Sequence, residues 1–285
     1  MATTVGGSDK TQRFRRFRLC VIASALDRQA GFLGATGPEV SLSSRIARTA
    51  VWFESHPIGS GYRGSVPSVE GLKTADLVDA MGRLHRHRCH LLDLVSPTPG
   101  RVLFGPAVTI SYFPSCSAGL DPDKYNLAHL FYEAVGDEPE GKVVVLASNG
   151  YTDASMGGGT KLSRLQHHGC AGVLTDGRLR DFDELATYDF ASYCSGEATK
   201  WGGDEVTPFQ ANVPVVVSGV GVFPGFYVFA DSSGAVVIPD GQVEDVIEGA
   251  RAVESDDEGY RNEIGQERLP ESQKRGPRWS LKRRS

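Results

Sequence analysis

Residues 156–185 read MGGGTKLSRLQHHGCAGVLTDGRLRDFDEL. The run Met156-Gly157-Gly158-Gly159 is a glycine-rich loop. Residues 160–168 follow, with Leu162 and Leu165 spaced to share one helix face, and Gly169 closes that helix. Residues 171–175 (AGVLT) form a short buried strand that ends in an Asp176-Gly177 turn. A helix of about nine residues rises roughly 14 Å, and a strand of about five returns roughly 16 Å. The two legs nearly cancel, so the glycine loop and the pair Arg180-Asp181 reach the same end of the sheet. That end lies beyond the carboxyl ends of the strands, where α/β folds place ligands.

Working outward, residues 142–147 (KVVVLA) are a buried strand and 148–150 its turn. Residues 72–84 have apolar positions at helical spacing, with Thr74 as N-cap. Residues 101–111 read as a strand in which Gly105-Pro106 forces a bulge or bend. Residues 123–135 are helical, with Gly136 as stop. Strands at 213–217, 226–230 and 235–238 precede a last helix from Gln242. Strands and helices alternate in the middle and strands come in succession near the end. This is an α/β domain with a mixed sheet.

The charge is unevenly spread over the 285 residues. Residues 1–60 hold 8 basic and 4 acidic side chains, while 61–250 hold 13 and 24, a net charge of −11. An acidic body repels phosphate backbones, which argues against nucleic acid as a ligand and suits a cation. No apolar run approaches the ~20 residues of a membrane span. Five scattered cysteines without a CxxC pair favour a reducing, cytoplasmic compartment over a disulfide framework. Basic residues before the apolar run 19–26 imitate an export signal, but Asp27 and Arg28 interrupt it. Residues 1–65 therefore read as a partly disordered extension and 66–255 as the domain. Residues 256–285 read as a helix end followed by a basic disordered tail with six basic residues from Lys274 onward.

The chemistry concentrates around the glycine loop. Free backbone N–H groups at a helix start carry partial positive charge and take a carboxylate or phosphate. Glycines at 157–159 let a ligand approach the backbone. The Arg180 guanidinium matches a carboxylate or enolate oxygen. Asp181 supplies oxygen to a hard divalent cation that keeps most of its waters. Other features read as structural. His85, His87 and His90 stand among arginines that oppose a cation, and Cys170 enters a buried strand. Residues 201–204 read as a loop.

The stretch from Gly157 to Leu185 resembles the RraA-like family of RNase E regulators and metal-dependent 4-hydroxy-4-methyl-2-oxoglutarate aldolases. Gly159, Arg180, Asp181 and Glu184 meet its pattern of Gly, twenty residues, Arg-Asp, two residues, Glu or Asp. KTADLVDAMGRL, VLFGPAVTI, DKYNLAHLFYEA and NVPVVVSGVGVFPGFYVFADSSGAVVIP resemble other family segments in the same order, over about 66–250. The resemblance implies an α/β/α sandwich of the swivelling-domain type, assembled as a homotrimer or hexamer. It implies Mg2+ or Mn2+ at Asp181, a pyruvate enolate steadied by Arg180, and a pyruvate carboxylate held by amides at Gly158, Thr160 and Lys161. The reaction it implies is aldol cleavage or oxaloacetate decarboxylation of a small 2-oxo acid. The alternatives are a non-catalytic regulator of a ribonuclease or helicase and a biosynthetic enzyme reusing the site. The aldolases carry Asp where this chain has Gly159, and Asp153 and Glu184 are the nearby carboxylates that substitute for it. Phe226 also departs from the family, and the loop 148–155 is placed to reshape the pocket. The family's loops near residue 201 approach the neighbouring subunit, so the resemblance also implies that Glu197 or Asp204 reaches a site there.

Overall fold

The computed structural model describes residues 68–84 and 88–268. The N-terminal extension, His85, His87 and the basic tail from Lys274 lie outside the described residues. Eight strands make one mixed sheet. Its parallel heart is β2 (Leu103–Pro114), β3 (Val143–Ala147), β5 (Gly172–Thr175) and β7 (Ala191–Tyr193). Every residue of β3 and β5 is buried, as expected of strands covered on both faces. On the other side of β2 the sheet turns antiparallel through β11 (Tyr227–Asp231) and β12 (Gly234–Ile238) to β1 (His90–Leu91).

Three apolar clusters hold the layers together. Helices α2 (Leu127–Val135) and α3 (Gly159–His167) pack on Val108, Ile110, Val144, Leu146 and Val173. Helices α1 (Thr74–Leu84) and α5 (Val243–Gln266) pack on Tyr227, Phe229, Val236 and Ile238. The alternate residues Ala107, Val143, Val145 and Leu174 pack with the ribbon of β9 (Val215–Val217) and β10 (Val220–Val222). The α/β class and mixed sheet are thus as expected, with a β-ribbon covering the side of the sheet opposite α2 and α3.

Local chemistry explains the element ends. Asn126 caps α2 by accepting the His129 N–H (2.9 Å), and Gly136 ends it at φ 60°. The start of α1 is fixed differently from the sequence reading. Thr74 is its first residue, and its N–H donates to Asp231 of β11 (2.8 Å).

The bulge expected at Gly105-Pro106 lies instead at Ser111/Tyr112. There the outer edge of β2 has passed from β11, which pairs up to Pro106, to β8 (Val206–Ala211), which pairs from Ile110. Gly105 is required for packing: a Cβ there would stand 2.1 Å from the backbone oxygen of Gly141. Neither backbone can swing aside. Gly105→Ala is expected to destabilise the fold by about 1–3 kcal/mol, read as a lowered midpoint in urea unfolding.

The sheet's carboxyl end is braced by Asp176. Its buried carboxylate accepts N–H groups from Ser148 (2.8 Å) and Ser218 (3.2 Å). This ties the exits of β3 and β5 to the β9–β10 turn beside the region where ligand-binding groups collect.

Candidate active site

The run 156–159, read as a loop, is part strand. Residues Ser155–Gly157 form β4, which pairs in parallel with β6 (Arg178–Leu179). The pairing continues one step: the Arg180 N–H donates to the Gly157 oxygen at 2.9 Å. Arg180 and Asp181 are therefore delivered beside Gly158, the extended N-cap of α3. A Cβ at Gly158 would lie 2.6 Å from Asp181 Oδ2 and 3.1 Å from Arg180 Cβ. Glycine is needed here because of what it lies against.

Asp181 is the N-cap of the short helix α4 (Phe182–Leu185) and adopts the left-handed conformation, φ 62° and ψ 50°. Among non-glycine residues Asp and Asn tolerate this best, and such strain collects at functional sites. Asp181 Oδ2 accepts the Gly159 N–H at 3.1 Å. Its other oxygen is 3.7 Å from Arg180 Nη2. With the two side chains 35% and 40% exposed, this pair adds little stability. What it does is present a guanidinium and a carboxylate side by side to a cavity.

That cavity measures about 520 Å3 and is lined by Gly157, Gly158, Thr160, Lys161, Arg180 and Asp181 on one side. The N–H groups of Thr160 and Lys161, in the first turn of α3, have no acceptor within the helix and carry its positive end. Burial holds the Lys161 ammonium below the usual lysine range, with Arg164 and Arg180 adding to the effect. Its Nζ lies 5.6 Å above the Trp201 ring. This side of the cavity is an anion seat.

Glu184 places a carboxylate against Gly159. A Cβ on Gly159 would fall 2.0 Å from Glu184 Oε2, so this carboxylate stands in the space a side chain at 159 would take. Its Oε1 accepts the Tyr188 hydroxyl at 2.7 Å, and that bond is the main cause of the raised Tyr188 pKa. Glu184 abuts Gly159 beside the cavity and is not part of its lining. Asp153 is not brought to the site. It is 88% exposed and pairs with Arg178 at 3.2 Å. Of the loop 148–155 only Ser155 lines the cavity. Glu197 accepts the Phe182 N–H of its own chain at 3.0 Å, and Asp204 pairs with Lys200 at 3.2 Å.

Some participants escaped the sequence reading. Trp201, read only as part of a loop, lines the cavity, and Gly203 leaves room for its ring. The Trp-Gly-Gly triplet was the signal available. Tyr125 and Tyr112 also line the cavity, and Tyr112 donates its hydroxyl to the Met156 oxygen. No local pattern marks them. Cys170 is buried as expected, and burial pushes its thiol up to about 11, which disfavours the thiolate.

Residues 74–237 match the sequence profile described as RraA-like, Aldolase/RraA, which is more than half of the chain. The chain belongs to the RraA-like family. A putative 4-hydroxy-4-methyl-2-oxoglutarate aldolase of Halalkalibacterium halodurans is 31% identical over 139 residues, 49% of this chain and 65% of that protein. Protein DlpA of Legionella pneumophila is 25% identical over 61% of this chain but only 27% of its own length. This RraA-like chain thus spans less than two thirds of each of these two relatives. Among solved structures, Streptomyces coelicolor RraAS2 superposes with a TM-score of 0.62 at 25% identity, over 72% of this chain and all of that one. RraAS2 is described as an unusual member of the RNase ES inhibitor RraA protein family. Together these place the α/β fold and its mixed sheet within the RraA-like fold.

Proposed function

We propose that this RraA-like protein is a metal-dependent carbon–carbon lyase that releases pyruvate from a small 2-oxo acid, by aldol cleavage or by decarboxylation. One observation carries the reading: Arg180, Asp181 and the first turn of α3 converge on a single cavity. Relatives named as putative 4-hydroxy-4-methyl-2-oxoglutarate aldolases support the lyase class.

Each residue then has a task. The N–H groups of Thr160 and Lys161 bind the substrate carboxylate at the helix start. The Arg180 fork donates to the C2 oxygen, and its bonds strengthen as that oxygen becomes an enolate. Gly158, without a Cβ, leaves room for Asp181 and Arg180. Glu184, fixed by Tyr188, is the carboxylate available to take up the 4-hydroxyl proton through water in aldol cleavage, and in decarboxylation no proton is released as the bond breaks. Among the described residues no three His, Cys, Asp or Glu side chains converge. Among the described residues Asp181 is the carboxylate that lines the cavity, which suits Mg2+ or Mn2+ held by one carboxylate and water. Such an ion supplies Lewis-acid polarisation of the substrate oxygens.

The test is pyruvate release from oxaloacetate, from 4-hydroxy-4-methyl-2-oxoglutarate and from 4-hydroxy-2-oxo-4-phenylbutanoate, with added Mg2+ or Mn2+ and after chelation. The expected result is, for at least one of them, a rate well above that of metal alone and abolished by chelator; rates equal to metal alone for all three overturn the reading. The rival reading, a non-catalytic regulator as the name of RraAS2 suggests, drew its strength from the bare Gly159. Glu184 beside Gly159 weakens it. We further infer a homotrimer or hexamer working in the cytoplasm. No described helix is long and apolar enough to cross a membrane.

A further inference from the structure

The cavity is much larger than its anion seat. At about 520 Å3 it falls in the range of pockets that enclose a drug-sized ligand, and pyruvate would fill a small part of it. The remaining space is bounded by the segment between β2 and α2 and by the start of β8. These contribute Leu120, Pro122, Tyr125, Leu127 and Pro208.

This wall is uncharged. Every residue that 115–127 and 206–208 give to the lining is neutral, and the lining's cations are Lys161 and Arg180 of the anion seat. Several of its polar groups are already engaged within the protein. Ser115 bonds the Gly203 oxygen (2.8 Å) and Thr207 (2.9 Å). The Asn126 amide donates to Pro122 (2.9 Å) and accepts from His129 (2.9 Å). Tyr125 is held by stacking on Phe209, centroids 5.5 Å apart, which in turn packs on Phe113 at 4.9 Å. The Ser117 and Tyr125 hydroxyls also line it, but among the described residues this wall offers no cation, so a second carboxylate pressed on it would lose water and gain no opposite charge. A flat apolar group would bury area against a fixed ring.

We propose that the substrate is a 2-oxo acid whose far end, beyond the bond that breaks, is an aryl-sized apolar group and not a second carboxylate. The proposal rests on the reading of the opposite wall as a 2-oxo-acid seat and names the substrate class for it.

Two uncleavable acids with the same head test it: 4-phenyl-2-oxobutanoate and 2-oxoglutarate, titrated calorimetrically into the full-length protein in Mg2+. The phenyl acid is expected to bind about tenfold tighter or more. Leu120→Arg, at a half-buried wall position, is expected to move the ratio about tenfold toward 2-oxoglutarate. Equal binding, tighter binding of 2-oxoglutarate, or a ratio that Leu120→Arg leaves unmoved overturns the proposal. If neither acid binds, the 2-oxo-acid seat falls and the proposal with it. If the phenyl acid binds tighter but neither its 4-hydroxy counterpart, 4-hydroxy-2-oxo-4-phenylbutanoate, nor the dicarboxylates release pyruvate, the preference for an apolar far end stands and the lyase reading fails.

Discussion

Arg180→Ala is expected to lower kcat for pyruvate release by about 10²–10³-fold, because it removes donors aimed at the oxygen where charge develops. The substrate carboxylate keeps its seat on the Thr160 and Lys161 amides, so KM should change far less than kcat. Arg180→Lys keeps the charge and loses the two-pronged geometry, and should recover only part of the rate. Asp181→Asn is the companion test and isolates charge from architecture. Asn tolerates the left-handed backbone at φ 62°, and its side-chain oxygen still accepts the Gly159 N–H. The variant should therefore fold normally and lose activity together with its response to added Mg2+. Both positions are over a third exposed, so thermal midpoints should move little. An Arg180→Ala enzyme that retains wild-type kcat would remove the enolate device, whatever the fold.

How much of this was legible beforehand depended on where the determining interaction sits. The buried strands, α3 and the meeting of the glycine run with Arg180-Asp181 follow from local periodicity and element lengths. Gly159, Arg180, Asp181 and Glu184 were legible as a spaced pattern. The role of Glu184 was not, because whether its carboxylate covers Gly159 depends on the turn of α4 and on Tyr188. Asp153 looked equally placed in sequence and is instead held by Arg178. Strand β8 escaped because Pro208 interrupts it, and it survives as the pairing partner of the C-terminal half of β2. The neutral wall around Tyr125 is assembled from segments about 80 residues apart in sequence, which no local pattern reports.

Gly159 and Glu184 should behave as one unit. Glu184→Ala removes the carboxylate beside the site and should lower kcat/KM by about tenfold or more. Gly159→Asp should be at least as damaging, since its Cβ would lie 2.0 Å from Glu184 Oε2 and 2.3 Å from Cδ. The new carboxylate must expel the old one or share its space against like-charge repulsion. The atoms it meets belong to the end of a flexible side chain, so the fold should survive while Glu184 is displaced. The double variant Gly159→Asp/Glu184→Ala relieves both problems: one carboxylate again occupies the space, now attached from the other side. Its kcat/KM is expected to return to within a few-fold of wild type, although each single change is harmful. That recovery is a coupling of more than about 1.4 kcal/mol between the two positions in a double-mutant cycle. Additive losses would mean that the carboxylate over Gly159 takes no part in the chemistry, and would return weight to the regulator reading.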